Sequence, residues 1–113
     1  MRWFLRSKIH RATVTEANPD YAGSITVDQD LLDKAGILVG EKVLVASLAS
    51  GVRLETYMIA GPTNSGKICM NGAAALLIKS GEKIIIMGFE LADNQVVCKN
   101  VLVDENNKFV KFL

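Results

Sequence analysis

The stretch "ITVDQDLLDKAGILVGEKVLV", residues 25–45, carries the reading of the fold. Ile25-Thr26-Val27 is β-branched and reads as a short strand. Asp28 then stands where a helix N-cap belongs, "DQDLLDKAGI" (28–37) reads as a short helix, and Gly36 falls where that helix should stop. "EKVLVASL" (41–48) is the next strand. A strand, one short helix and another strand leave no room for the long helices of a doubly wound parallel sheet. Outward from this core the pattern repeats. "KIHRATVTEA" (8–17) reads as a strand, with apolar residues at 9, 12 and 14. "NPDYAG" (18–23) is a turn, "SITVD" (24–28) a strand and "VRLETYMIAG" (52–61) an alternating strand after the "ASG" turn. "PTNSGK" (62–67) is a loop, "ICMN" (68–71) a strand, "GAAALLIKSG" (72–81) a short helix and "EKIIIMGFEL" (82–91) a buried strand. "QVVCKNVLVDE" (95–105) and "KFVKFL" (108–113) are strands either side of an "ENN" turn. Seven or eight short strands and two short helices in 113 residues predict a single, mainly β domain over 1–113, folded as a compact barrel.

Composition narrows the function classes. Half of the residues are hydrophobic, enough for an ordinary core, and 13 basic residues against 12 acidic ones give a net charge of +1. That balance lacks the basic excess by which proteins neutralise phosphates, so no nucleic-acid or anionic-membrane partner is expected. No apolar run approaches the roughly 20 residues needed to span a bilayer, and Met1–Leu5 is too short for a signal-peptide core. A cytoplasmic location is the expectation. Cys69 and Cys98 then read as two free, buried thiols, and with His10 as the single histidine no metal site is expected.

Several constellations hint at chemistry, and each has a plain structural reading beside it. "GPTNSGK" (61–67) has the Gly61 and Gly66-Lys67 of a phosphate-binding loop, but Ile68 replaces the required Ser/Thr and a strand follows instead of a helix. Ser24, His10 and an aspartate could compose a hydrolytic triad, yet Ser24 has no G-x-S-x-G elbow around it. In "RLETY", Arg53, Glu55 and Tyr57 share one strand face and Thr56 the other, which is either a solvated face or an anion-binding Arg beside a phenolic proton donor. "NGAAA" (71–75) is either close packing of a helix on a sheet or a helix start that admits a ligand to its backbone, with Asn71 as cap or polar contact. Residues 25–45 also resemble the swapped-hairpin, DNA-binding transition-state regulators of bacteria, but four acidic residues against Lys34 and Lys42 argue against DNA.

Taken together, "KIHRATVTEA", "YAGSITVD", "LLDKAGI", "EKV", "RLETY" and "NGAAA" resemble bacterial aspartate 1-decarboxylases in order and spacing, from about residue 5 to about residue 88. The resemblance implies a double-psi β-barrel, assembled as a homotetramer with active sites between subunits. It implies production of β-alanine and CO₂ from L-aspartate for pantothenate and coenzyme A synthesis. It further implies that the chain cuts itself between Gly23 and Ser24, leaving residues 1–23 as a small chain and 24–113 as a large chain. Ser24 would become a covalent pyruvoyl group, the sole cofactor, which binds the substrate amine as a Schiff base and acts as an electron sink. By the same resemblance Thr56 and Asn71 support processing and also bind the substrate, and Tyr57 is the proton donor. Arg53 and Lys8 hold substrate carboxylates, Gly72, Ala73 and Ala74 line the substrate with their backbone, and His10 and Tyr21 lie nearby. An accessory maturation factor is left open. The chain departs from several relatives near Ala46 and at Leu76, where larger or basic residues are common; these departures predict an altered pocket wall or subunit contact.

Overall fold

Strand β1 (Arg2–Thr13) shows how local irregularity sets the architecture. A strand exposes alternate residues to alternate faces, so burial of Ser7 and Ile9 should continue at residue 11. Instead Ala12 and Val14 are buried, and the pairing with β7 slips between His10 and Ala12. Arg11 absorbs the extra residue with φ 67°, a left-handed conformation uncommon outside glycine. The bulge explains why the apolar positions 9, 12 and 14 are spaced by three and then two. It also turns the chain. Beyond it Val14 N–H donates to Glu82 O (2.9 Å) and Thr15 N–H to Ile68 O (2.8 Å), so one corner touches both halves of the sheet.

A computed structural model describes all 113 residues. The remaining elements are β2 (Glu16–Asn18), β3 (Ser24–Asp28), α1 (Gln29–Ala35), β4 (Lys42–Ser47), β5 (Arg53–Gly61), β6 (Ile68–Asn71), α2 (Ala74–Leu77), β7 (Lys83–Ala92), β8 (Lys99–Val103) and β9 (Phe109–Phe112). The nine strands run in the order β2-β6-β3-β5-β4-β7-β1-β8-β9. Three neighbouring pairs are parallel, β1 with β8, β2 with β6 and β3 with β5; the others are antiparallel. The core is aliphatic and continuous, with Ile9, Ile25, Leu31, Met58, Ile68, Ile84 and Ile86 fully buried.

The capping signals hold. The Asp28 carboxylate accepts from Asp30 N–H, and Gly36, at φ 71°, closes α1 with its N–H on Leu32 O. Asp28 does more than cap. Its two oxygens also accept from the N–H groups of Asn64 and Gly66, each at 2.9 Å. The loop that echoes a phosphate cradle therefore wraps a carboxylate of its own chain. We expect Asp28→Ala to lower stability by about 3 kcal/mol, because three backbone donors on two segments, that of Gly66 buried, lose a charged acceptor together. A urea midpoint unchanged at constant slope would contradict this.

Other expectations need correction. The first strand begins at Arg2, not residue 8, and breaks before β2, so the strands number nine. The helix expected over 72–81 is only Ala74–Leu77, since its cap position, Ala73, offers no side-chain acceptor and Leu76 and Leu77 are exposed. Residues 95–98 lie outside β8, and Cys98 is only half-buried, unlike Cys69. The "ENN" turn carries a fastener: Asn107 accepts from Thr13 N–H and donates to Thr13 O and Gly66 O.

Candidate active site

Strands β3 and β6 pair antiparallel with Ser24 opposite Asn71 and Thr26 opposite Cys69. Residues two apart on a strand share a face, so these four side chains meet on one surface. Ser24 is 4% exposed. Its Oγ accepts from Asn71 Nδ2 at 2.9 Å and donates to Ala22 O at 3.2 Å. Asn71 Nδ2 also donates to Thr26 Oγ1 at 3.0 Å, and Cys69 Sγ donates to Asn71 Oδ1 at 3.0 Å. Burial, and then the neighbouring Glu16 carboxylate, push the Cys69 thiol up to about 11, so it stays protonated.

The backbone at the site is held from the other side by Gly72. It sits at φ +67°, and its N–H donates to Asn18 O at 2.9 Å. A Cβ there would lie 2.7 Å from the backbone N and Cα of Gly23 and 2.9 Å from Tyr21 O. Gly23 by contrast has nothing within 4 Å of where its own Cβ would be. The Gly23–Ser24 bond is thus braced on one side by backbone and open on the other.

That open side is a cavity of about 360 Å³ lined by Gly23, Ser24, Leu54, Glu55, Thr56, Tyr57, Asn71, Ala73, Ala74 and Leu77. Seven of the residues singled out from the sequence line it: Gly23, Ser24, Thr56, Tyr57, Asn71, Ala73 and Ala74. Strand β5 brings Thr56 and Tyr57 to its wall, and Tyr57 is 41% exposed. A larger groove of about 470 Å³, walled by Trp3, Val43, Leu44 and Phe89, meets this cavity only at Glu55 and holds none of those seven.

Lys8, His10, Arg53, Tyr21 and Gly72 do not line the cavity. Lys8 and His10 lie on β1, three places from β5 in the sheet order. Arg53 stands four residues before Tyr57 on the exposed face of β5, roughly 13 Å along the strand. Tyr21 is exposed, and its backbone oxygen lies close to where a Cβ on Gly72 would stand. His10 has its proton affinity lowered by burial first, then by Lys8 and Arg11, and its Nδ1 is buried with no hydrogen-bond partner. Neither Ala46, buried between β5 and β7, nor the exposed Leu76 lines the cavity; a changed pocket wall at these positions is not what the protomer shows. Cys69 and Thr26 were not among the expected residues. Their signal was the two-residue spacing to Asn71 and Ser24, which has meaning only once β3 is known to pair with β6.

The side chains could bind a small polar molecule against Tyr57 and Asn71 and hold a serine oxygen beside a backbone carbonyl. No group of three or more His, Cys, Asp or Glu side chains is placed to hold a metal ion.

A solved structure with the same architecture is that of the rationally designed protein mkDPBB_sym_86, a double-psi β-barrel, at TM-score 0.50 over 74% of this chain and 91% of that one. Its 21% identity speaks for fold alone. Fold and cavity together define a double-psi β-barrel with a buried serine at the mouth of β3. The family model described as aspartate decarboxylase matches residues 1–110, and the chain belongs to that family and is an enzyme. It is 54% identical to the aspartate 1-decarboxylase of Caldicellulosiruptor saccharolyticus over 95% of this chain and 87% of that one. It is 53% identical to that of Neisseria meningitidis over the same shares, and 46% identical to that of Bacillus cereus over 99% and 91%. The rhythm of residues 25–45 that resembles DNA-binding regulators is here β3, α1 and β4 of this barrel.

Proposed function

We propose that this chain cuts its own Gly23–Ser24 bond and, so matured, decarboxylates L-aspartate to β-alanine. The observation that carries the reading is the Ser24 hydroxyl, buried, held by Asn71 Nδ2 and following a glycine with open space at its side. A serine hydroxyl is a weak nucleophile until it is placed and its developing charge is met. Attack of Oγ on the Gly23 carbonyl carbon moves the acyl group from nitrogen to oxygen and frees the Ser24 amine. The oxyanion formed needs a fixed donor, a role suited to Thr56 and Asn71 on the cavity wall. Loss of the Ser24 α-proton then expels the Gly23 carboxylate, and water releases the amine as ammonia and leaves a ketone. Residues 1–23 become the small chain and 24–113 the large one.

The cavity fits such a pyruvoyl ketone: Ser24 faces space bounded by the small Ala73 and Ala74 and by two hydrogen-bonding side chains. The ketone supplies an electron sink next to the substrate amine, which lets the α-carboxylate leave as CO₂. Tyr57 is suited to return the proton to the α-carbon from the cavity wall. Arg53 and Lys8 suit the substrate's carboxylates, Arg by a two-pronged grip. Both stand outside the protomer's cavity, which favours a homotetramer whose active sites lie between subunits, with His10 and Tyr21 at their rim. The exposed Trp3, Phe89, Leu76 and Leu77 offer apolar surface for that assembly. We place the reaction in the cytoplasm, feeding pantothenate and coenzyme A synthesis; no helix is long and apolar enough to cross a membrane.

Intact-mass spectrometry of the denatured protein, before and after warming, tests the reading. Two fragments split between Gly23 and Ser24 are expected, the larger lighter by one ammonia than plain hydrolysis would leave. A chain still whole after prolonged warming would overturn unaided self-processing and call for a maturation factor. Tyr57→Phe is expected to cleave normally yet turn over aspartate at least about a hundredfold more slowly. Ordinary turnover in that variant would remove Tyr57 from proton donation.

A further inference from the structure

We infer that Cys69 is a positioning residue for self-cleavage: its thiol holds the Asn71 carboxamide in the one orientation that aims Nδ2 at Ser24 Oγ. The inference rests on the self-processing reading above. A carboxamide has two ends of nearly equal size, so packing alone does not choose between its orientations and the hydrogen-bond partners must. On the Nδ2 side stand Ser24 Oγ and Thr26 Oγ1, at 2.9 and 3.0 Å. Thr26 Oγ1 can donate or accept and selects no orientation, whereas Ser24 Oγ gives its one proton to Ala22 O at 3.2 Å and favours Nδ2 only as far as that long bond holds. On the Oδ1 side stands Cys69 Sγ, at 3.0 Å. A thiol is a donor here and a poor acceptor. Turning the amide over would set Nδ2 against sulfur, where its protons find little, and set Oδ1 against Ser24.

The orientation matters to the chemistry. With Nδ2 on Oγ, the amide supports negative charge on the serine oxygen as it attacks. With Oδ1 there instead, the amide would bind the hydroxyl proton and repel that charge. Burial, and then the neighbouring Glu16 carboxylate, hold the thiol in its protonated form, so it remains a donor near neutral pH. Register makes the device possible. Thr26 pairs with Cys69 and Ser24 with Asn71, so the thiol sits one side chain behind the amide and never touches the reacting atoms.

The test follows first-order loss of the uncut full-length chain for the wild type and for Cys69→Ala, Cys69→Ser and Cys69→Val, beside their thermal midpoints. The asparagine side-chain amide signals of the uncut ¹⁵N-labelled chains are recorded in the cold. Ala and Val remove the donor, and either is expected to slow cleavage about tenfold, the cost of a misdirected hydrogen bond. Ser keeps a donor and is expected to stay within about threefold of the wild type, with Asn71 signals shifted in Ala and Val but not in Ser. Val, apolar and at home in a strand, serves if Ala fails to fold. Ala or Val cleaving like the wild type with unmoved Asn71 signals overturns the inference. So does a Ser variant as slow as Ala, or a loss that merely tracks thermal midpoint. A wild-type chain that never cleaves has a different signature: it overturns the processing reading itself, and the inference with it.

Discussion

Ser24→Ala is expected to purify as one uncut chain of 113 residues and to release no CO₂ from aspartate. The substitution removes the only oxygen placed to take the Gly23 acyl group, so neither ester nor ketone can form. It should otherwise spare the fold. Asn71 Nδ2 loses one acceptor but keeps Thr26 Oγ1 at 3.0 Å, and its Oδ1 keeps the Cys69 thiol. The cost in stability should be about 1 kcal/mol, that of one hydrogen bond whose donor retains another partner. The measurements are intact mass after warming, CO₂ release and the thermal midpoint. A pure, folded, uncut variant that still decarboxylates aspartate would refute the role of Ser24 outright.

Gly72→Ala should damage both fold and processing. Two penalties coincide. The residue sits at φ +67°, where an L side chain costs roughly 1–2 kcal/mol. Its Cβ would also press into Gly23 and Tyr21 backbone, at 2.7 and 2.9 Å, and backbone cannot swing aside as a side chain can. We expect a total loss of about 3–5 kcal/mol, the range of severe backbone strain and overpacking. Whatever relief occurs must move Gly23 relative to Ser24 Oγ. A displacement of about 1 Å at a reacting bond costs around a hundredfold in rate, so cleavage should slow by at least that. Gly51→Ala provides the control, because Gly51 sits at φ +77° with nothing within 4 Å. It pays for the dihedral alone. Equal unfolding midpoints for the two variants, with normal cleavage in Gly72→Ala, would show that the close approach at Gly23 has no bearing on processing.

Legibility in the sequence followed the range of the interaction involved. The Asp28 cap and Gly36 stop were readable because caps act within a few residues. The alternation of Arg53, Glu55 and Tyr57 against Leu54 and Thr56 was readable because a strand's period is local. The helix at 72–81 was overextended because alanines favour helix wherever they occur, while its real length is set by what Leu76 and Leu77 can bury. The left-handed Arg11 left no mark on its residue type, only on the spacing of apolar positions around it.

Taken by itself, the sequence determined a mainly β barrel with short helices and, through its resemblance to a known family, marked Gly23-Ser24 with Thr56, Tyr57 and Asn71 as the candidate site. Those are matters of residue type, period and order along the chain. Only the tertiary structure decided that Asp28 fills the loop resembling a phosphate cradle, that Cys69 and Thr26 belong beside Asn71, and that Gly72 braces Gly23. It also set Lys8, His10 and Arg53 outside the protomer's cavity. The physical reason is common to all of these. Each depends on which strands pair and in what register, and a hydrogen bond or a backbone contact forms between residues brought together by that pairing, however far apart they lie in the chain.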